Sequence, residues 1–141
     1  GGKVKTPTLA GKYSEEFNIY AGPKETLENS INLFRTVAQE NERDISSLEI
    51  TTACPPVVGL TKESVDNSLI TAAKALIQPE DEIAKNWKER SYLYGTPDEV
   101  ATTLSMWKEV GIGAVYLQLL DLEPSKRDET VEVIKQAINL L

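Results

Sequence analysis

The sequence predicts an α/β fold of parallel strands alternating with helices. Two observations carry this. The first is residues 95–120, which read as a helix start, an amphipathic helix, a glycine stop and a buried strand. The second is that helix-then-strand order occurs twice more upstream, with short polar turns between. In residues 95–120, Thr96 suits an N-cap, because its hydroxyl can accept a bond from a free backbone N–H. Pro97 suits the first helical position. Glu99, three residues after Thr96, completes a capping box, and Asp98 and Glu99 favour the positive end of the helix dipole. Val100, Leu104, Trp107 and Val110 then recur on one helical face, and Gly111 supplies a left-handed stop. The run from Ala114 to Leu120 is apolar almost throughout, as in a strand covered on both faces of a parallel sheet.

The remaining elements follow from the same rules. Residues 6–13 predict a short helix with Pro7 in its first turn. Phe17-Asn18-Ile19-Tyr20 is a strand, closed by Gly22-Pro23. Residues 24–41 form a second helix burying Leu27, Ile31, Phe34 and Ala38, followed by the polar turn Asn41-Glu42-Arg43-Asp44. Residues 48–54 are the next strand, which Pro55-Pro56 ends or bends. Val57-Val58-Gly59 leads to Thr61, an N-cap for a helix burying Val65, Leu69, Ala72, Ala73 and Leu76. Pro79 opens a helical or loop stretch containing Ile83 and Trp87. After the third strand, residues 121–125 are expected as a loop. The final helix is expected to bury Val131, Ile134, Ile138 and Leu141. Three strands amount to about three units of an eight-unit barrel, which typically needs ~250 residues, or to a small open α/β sheet.

Composition bounds the function. The 141 residues suit a single domain, residues 1–141, with a real core, and a net charge of −7 argues against nucleic acid and against an anionic membrane surface. No apolar run approaches the ~20 residues of a membrane helix, and no signal peptide is visible, so a cytoplasmic location is expected. There is no histidine and one cysteine, Cys54. Histidine-dependent triads and histidine or cysteine metal sites are therefore excluded, and no metal is expected. Cys54 is expected to pack as a small hydrophobe. The chain opens Gly1-Gly2-Lys3 without an initiator methionine, which suggests a start made by processing, cloning or truncation.

An ordered set of motifs resembles the luciferase-like flavin and deazaflavin oxidoreductases. Gly1-Gly2-Lys3 with residues 8–18 resembles that family's "GG…TL-A-A-x-Y-A-D-x-W-N" stretch, with Ser14 and Glu15 for Ala-Asp and Phe17 for Trp. Asn41 to Asp44 stands in place of its "G-R-D-P" turn. Val57 to Glu63 resembles "V-V-G-x-T-x-x-E". Gly95 to Val100, with Gly111 and Val115 to Gln118, resembles its "G-T-P-D-E-V…G-V…V-Y-L-Q" close. The resemblance implies a partial (β/α)8 TIM barrel, its last three or so βα units, with the strands at residues 17–20, 48–54 and 114–120 as strands six to eight. It implies a flavin mononucleotide (FMN) or deazaflavin coenzyme serving hydride transfer or oxygen activation in the full-length parent. The wording of the last strand leans toward the deazaflavin group.

By this resemblance Gly1, Gly2, Lys3 and Thr6 would approach the coenzyme phosphate, since glycine lets a backbone N–H reach an anion beside a helix N-terminus. The plain alternative is an N-terminus with no ligand. Asn18, Gln118 and Asp121 fall at or near strand ends, where barrel-interior hydrogen bonding or loop capping competes with catalysis. Glu49 faces either the barrel interior or solvent. Trp87, Trp107 and the tyrosines read as core or interface, and residues 85–90 as a solvated helix face. No catalytic residue is assigned. The chain alone is expected to be inactive, to hold no coenzyme, and to self-associate as a homo-oligomer through exposed strand edges or one apolar sheet face. Two alternatives stand beside this: a non-enzymatic α/β interaction module that oligomerises, and a flavodoxin-like open sheet.

Overall fold

The computed structural model describes residues 2–120 and 123–141. In order the elements are α1 (Lys5–Tyr13), β1 (Glu16–Tyr20), α2 (Lys24–Glu40), a 3-10 turn (Ile45–Ser47), β2 (Glu49–Cys54), β3 (Val57–Val58), α3 (Lys62–Leu76), α4 (Glu80–Glu89), β4 (Tyr94–Gly95), α5 (Pro97–Val110), β5 (Ala114–Leu117) and α6 (Pro124–Asn139). They form two compact units, Gly1–Ala53 with Trp107–Tyr116 and Cys54–Met106 with Leu117–Leu141.

The first unit is built on a sheet of order β1-β2-β5. β1 and β2 are parallel, in a register running from Glu16 opposite Glu49 to Tyr20 opposite Ala53. The Gly113 N–H, just before β5, donates to Ile50 O at 2.8 Å. Side chains alternate strictly along β1: Phe17 and Ile19 are buried while Glu16, Asn18 and Tyr20 are exposed. The buried face meets α2, where the Phe17 and Phe34 rings stack 4.9 Å apart. Helix α2 buries Leu27, Ile31, Phe34, Val37 and Ala38, one stripe at helical spacing. Helix α1 lies so close to α2 that a Cβ at Gly11 would stand 2.7 Å from Phe34 O. Arg43 then reaches back, donating to Ala10 O and Gly11 O at 3.2 and 3.0 Å, carbonyls near the C-terminal end of α1. Gly111, with φ +100°, ends α5 as expected, its N–H donating to Trp107 O and Lys108 O.

The second unit carries a two-stranded parallel ladder, Val57 opposite Tyr94 and Val58 opposite Gly95. Its core joins Val57, Ala72, Ala73, Ile83 and Trp87. The Trp87 indole N–H donates to Pro55 O at 2.7 Å, and its ring meets Tyr92 edge-on at 5.3 Å. Thr61 caps α3 in a capping box with Ser64. At α5, Glu99 Oε2 accepts from the Thr96 N–H at 2.8 Å and from the Thr96 hydroxyl at 3.1 Å. Lys62 Nζ sits 3.1 Å from the other carboxylate oxygen.

Parallel strands, with helices packed on one sheet face and the other left open, make this a partial (β/α)8-type fold. Several expectations are corrected. Among the described residues five strands are present rather than three; Val57-Val58 and Tyr94-Gly95 are too short to show periodicity. β5 stops at Leu117, and Tyr116 on it is 53% exposed, so the strand is not covered on both faces. The open sheet face is polar, not apolar, because β1 alternates around Glu16, Asn18 and Tyr20. Pro124 and Ser125 begin α6 rather than close a loop, while Asp121 lies outside the described residues. Helix α6 buries Val133 and Ala137, and Val131, Ile138 and Leu141 stay exposed. The small Ala137 and compact Val133 form the side that packs.

Candidate functional site

In a parallel pair, registered residues share a face. Glu16 and Glu49, Asn18 and Thr51, and Tyr20 and Ala53 therefore stand side by side on the open face of the first unit's sheet. Their side chains are linked. Asn18 Nδ2 donates to Thr51 Oγ1 at 2.8 Å, and Thr51 Oγ1 donates to Glu16 Oε1 at 2.5 Å. Thr51 is buried, while Glu16, Asn18 and Glu49 around it are exposed. Tyr116, on β5, is hydrogen-bonded to Glu16. The phenol is pushed above its ordinary value, first by the Glu16 charge, then by that hydrogen bond, by partial burial and by Glu49. Among the described residues, no lysine or arginine forms an ion pair with Glu16 or Glu49.

The chemistry of this face is graded along the strands. Glu16 and Glu49 are the first residues of β1 and β2, at the N-terminal ends. Tyr20 closes β1 and is 86% exposed. In barrels the C-terminal ends carry the reacting groups and the N-terminal ends carry stability. Tyr20 is at the C-terminal end of β1, Asn18 is at its middle, and the carboxylates are at the N-terminal ends. The strict alternation of Glu16 to Tyr20 was the signal for this face. The alternation shows only when the strand is extended back to Glu16.

The other expected site residues are distributed as follows. Gly1 lies outside the described residues. Gly2, Lys3 and Thr6 gather at the start of α1, where the Thr6 N–H donates to Gly2 O at 3.3 Å. A Cβ at residue 2 would sit 3.2 Å from the Lys5 backbone nitrogen, so glycine keeps that approach open. Lys3 and Thr6 are exposed. Glu49 is on the open face. Gln118 follows β5, and its N–H donates to Cys54 O at 3.0 Å. Trp87 and Trp107 are core residues. Cys54 is fully buried, its thiol pushed up to about 11 by burial and eased by a hydrogen bond with Leu93, so it is a packing residue. In the second unit, Ser68, Thr71, Lys126 and Thr130 help line a cavity of about 30 Å³, room for a water and too small for a coenzyme.

No protein-family model and no curated protein matches the chain. Solved structures do. An F420-dependent secondary alcohol dehydrogenase superposes with TM-score 0.68 at 22% identity, over 94% of this chain and 46% of that one. The coenzyme F420 dependent tetrahydromethanopterin reductase from Methanopyrus kandleri gives 0.67 at 13% identity, over 99% and 48%. The EDTA monooxygenase from Chelativorans sp. BNC1 gives 0.73 at 15% identity, over 99% and 44%. The chain thus shares the fold of part of these oxidoreductases and spans less than half the length of each.

Proposed function

We propose that this chain is the C-terminal part of a luciferase-like oxidoreductase or monooxygenase that works with a deazaflavin coenzyme or FMN, and that by itself it does not turn over. The observation that carries this is the open, polar face of a parallel sheet whose other face is packed by a helix, in a chain that overlays less than half of several such enzymes. The coenzyme would supply the hydride or activate oxygen. Gly1, Gly2, Lys3 and Thr6 would hold its phosphate. Glycine at residue 2 keeps the backbone at the start of α1 approachable, and Lys3 brings positive charge, so the residues present fit an anion. Because the Thr6 N–H is already bonded to Gly2 O, Thr6 would contribute its hydroxyl. Tyr20, which closes β1, would orient substrate from the C-terminal end of the strand, with Asn18 two residues before it on the same face.

The test is a spectral titration of the 141-residue chain with oxidised and reduced F420 and FMN. No binding at micromolar concentration is expected, and micromolar binding by the chain alone would refute its incompetence. A second reading, a stand-alone module that self-associates, is favoured by one observation: β1 and β5 are both edge strands. Because the fragment reading also expects self-association through those edges, sedimentation of the chain over a concentration range tests that expectation in both readings.

A further inference from the structure

We propose that the second unit carries an anion site between α3 and α6, which takes a phosphate group, either free or at the end of a phosphomonoester. The inference stands on that unit alone and does not rest on the coenzyme reading. The cavity of about 30 Å³ is lined from α3 by Ser68 and Thr71, and from α6 by Lys126, Arg127 and Thr130. Ser68 and Thr71 are three residues apart, so both side chains stand on one face of α3. Two other hydroxyls on the wall are already used: Ser64 donates to Thr61 O and Thr130 to Lys126 O, each at 3.0 Å. The Ser68 and Thr71 hydroxyls have no hydrogen-bond partner among the described residues, and neither Lys126 nor Arg127 forms an ion pair there. The carboxylate on the wall, Glu129, accepts from the Leu60 N–H at 3.2 Å instead of from either cation. Four donor side chains therefore converge on one polar cavity with nothing to donate to.

Charge and size choose the ligand. The chain carries a net charge of −7, yet α6 opens with two adjacent cations and no acid in its first turn. That end of a helix is already positive, so Lys126 and Arg127 stand where cations are disfavoured. An anion in the cavity reverses the sign, because it is attracted by both side chains and by the helix end. A cavity with room for a water takes one oxygen of an oxyanion and excludes a ring. Arg127 is exposed, so the cavity reaches the surface, where the remaining oxygens would meet the guanidinium and the ammonium. Two cations and two hydroxyl donors match a doubly charged tetrahedral phosphate better than a planar, singly charged carboxylate.

The experiment titrates the 141-residue chain with inorganic phosphate and, separately, with glycerol phosphate, at an ionic strength held constant with chloride. Binding is followed by calorimetry and by Tm. Saturable binding is expected, with a Tm that rises by mass action. Tighter binding of the ester names a phosphomonoester as the source, and tighter binding of phosphate names the free anion. Lys126→Gln/Arg127→Gln should weaken binding by about tenfold or more. Without phosphate the same variant should hold or raise Tm, since it removes cations from the positive helix end. Ser68→Ala/Thr71→Val should also weaken binding by about tenfold, through the two lost donors. Circular dichroism checks that both variants fold. The proposal is overturned if neither anion binds saturably. It is overturned if the Lys126→Gln/Arg127→Gln chain gains as much from phosphate as wild type, which marks general salt exclusion or binding elsewhere. It is overturned equally if the hydroxyl variant binds as tightly, since the cations would then act as surface charge without the cavity.

Discussion

Gly11→Ala tests how the α1–α2 pair is built. Gly11 lies inside α1, where alanine is ordinarily the better residue by up to about 1 kcal/mol. Here a Cβ would meet Phe34 O at 2.7 Å and Val37 Cβ at 2.8 Å, both on α2. The first neighbour is main chain and cannot rotate away, so the helices must separate. Overpacking of this kind costs typically 1–3 kcal/mol, and a backbone obstacle belongs in the upper part of that range. Net of the helical gain, a loss of about 1–2 kcal/mol is expected. For a chain of this size that lowers Tm by roughly 3–6 °C. Gly22→Ala is the control, because nothing lies within 4 Å of its Cβ position and its φ is not in the left-handed range. It should hold or slightly raise Tm, by narrowing the unfolded ensemble. Thermal melts followed by circular dichroism decide the matter. A Gly11→Ala chain more stable than wild type would refute the close approach and leave only propensity at work.

The Cys54 thiol should resist a thiol reagent in the native chain and react fully once unfolded, since burial pushes it up to about 11. Glu99 is held below its ordinary value by the Thr96 N–H, then by Lys62. Its contribution is therefore present above the unfolded value of 4.5 and lost as pH falls through the lower folded value, and Glu99→Gln should flatten that part of the stability–pH curve in acid melts. The Tyr116 phenol is raised, chiefly by the Glu16 charge, so its contribution is full below the unfolded value of 10.0 and is lost as pH rises through the folded one. In an ultraviolet titration, Glu16→Gln should bring one phenol back toward its ordinary value, and an unchanged curve would dismiss the contact.

Local signals carried far in this chain. Thr61 caps α3 as its hydroxyl and position require, and Gly111 ends α5 in the left-handed region. Leu27, Ile31, Phe34 and Ala38 are buried, as the 3.6-residue period demands. What escaped is what depends on partners distant in sequence. Thr51 bonds to Asn18 and Glu16, 33 and 35 residues away, and nothing near Thr51 announces this. The apolar character of residues 114–117 suggests coverage on both faces, yet burial is set by what packs against a strand, which its own residues do not specify, and Tyr116 is exposed. In α6 the more hydrophobic stripe lost to one with smaller side chains, since close approach depends on shape as well as on hydropathy. The coenzyme-phosphate candidates came from resemblance alone. Local physics at Gly2 permits that role without requiring it.

The two sheet faces make different demands. The face with Phe17 and Ile19 gains its stability inside the unit, by burying rings and branched side chains against α2, and is complete. The opposite face is organised but incomplete. Its hydrogen bonds converge on Glu16 from Thr51 and Tyr116, fixing where one negative charge sits, and Glu49 sets a second beside it. Hydrogen-bond donors can orient a carboxylate, but they cannot neutralise two adjacent ones when water is withdrawn. While that face is wet the two carboxylates are solvated, and withdrawing water from it would favour protonation of one of them or a cation beside them.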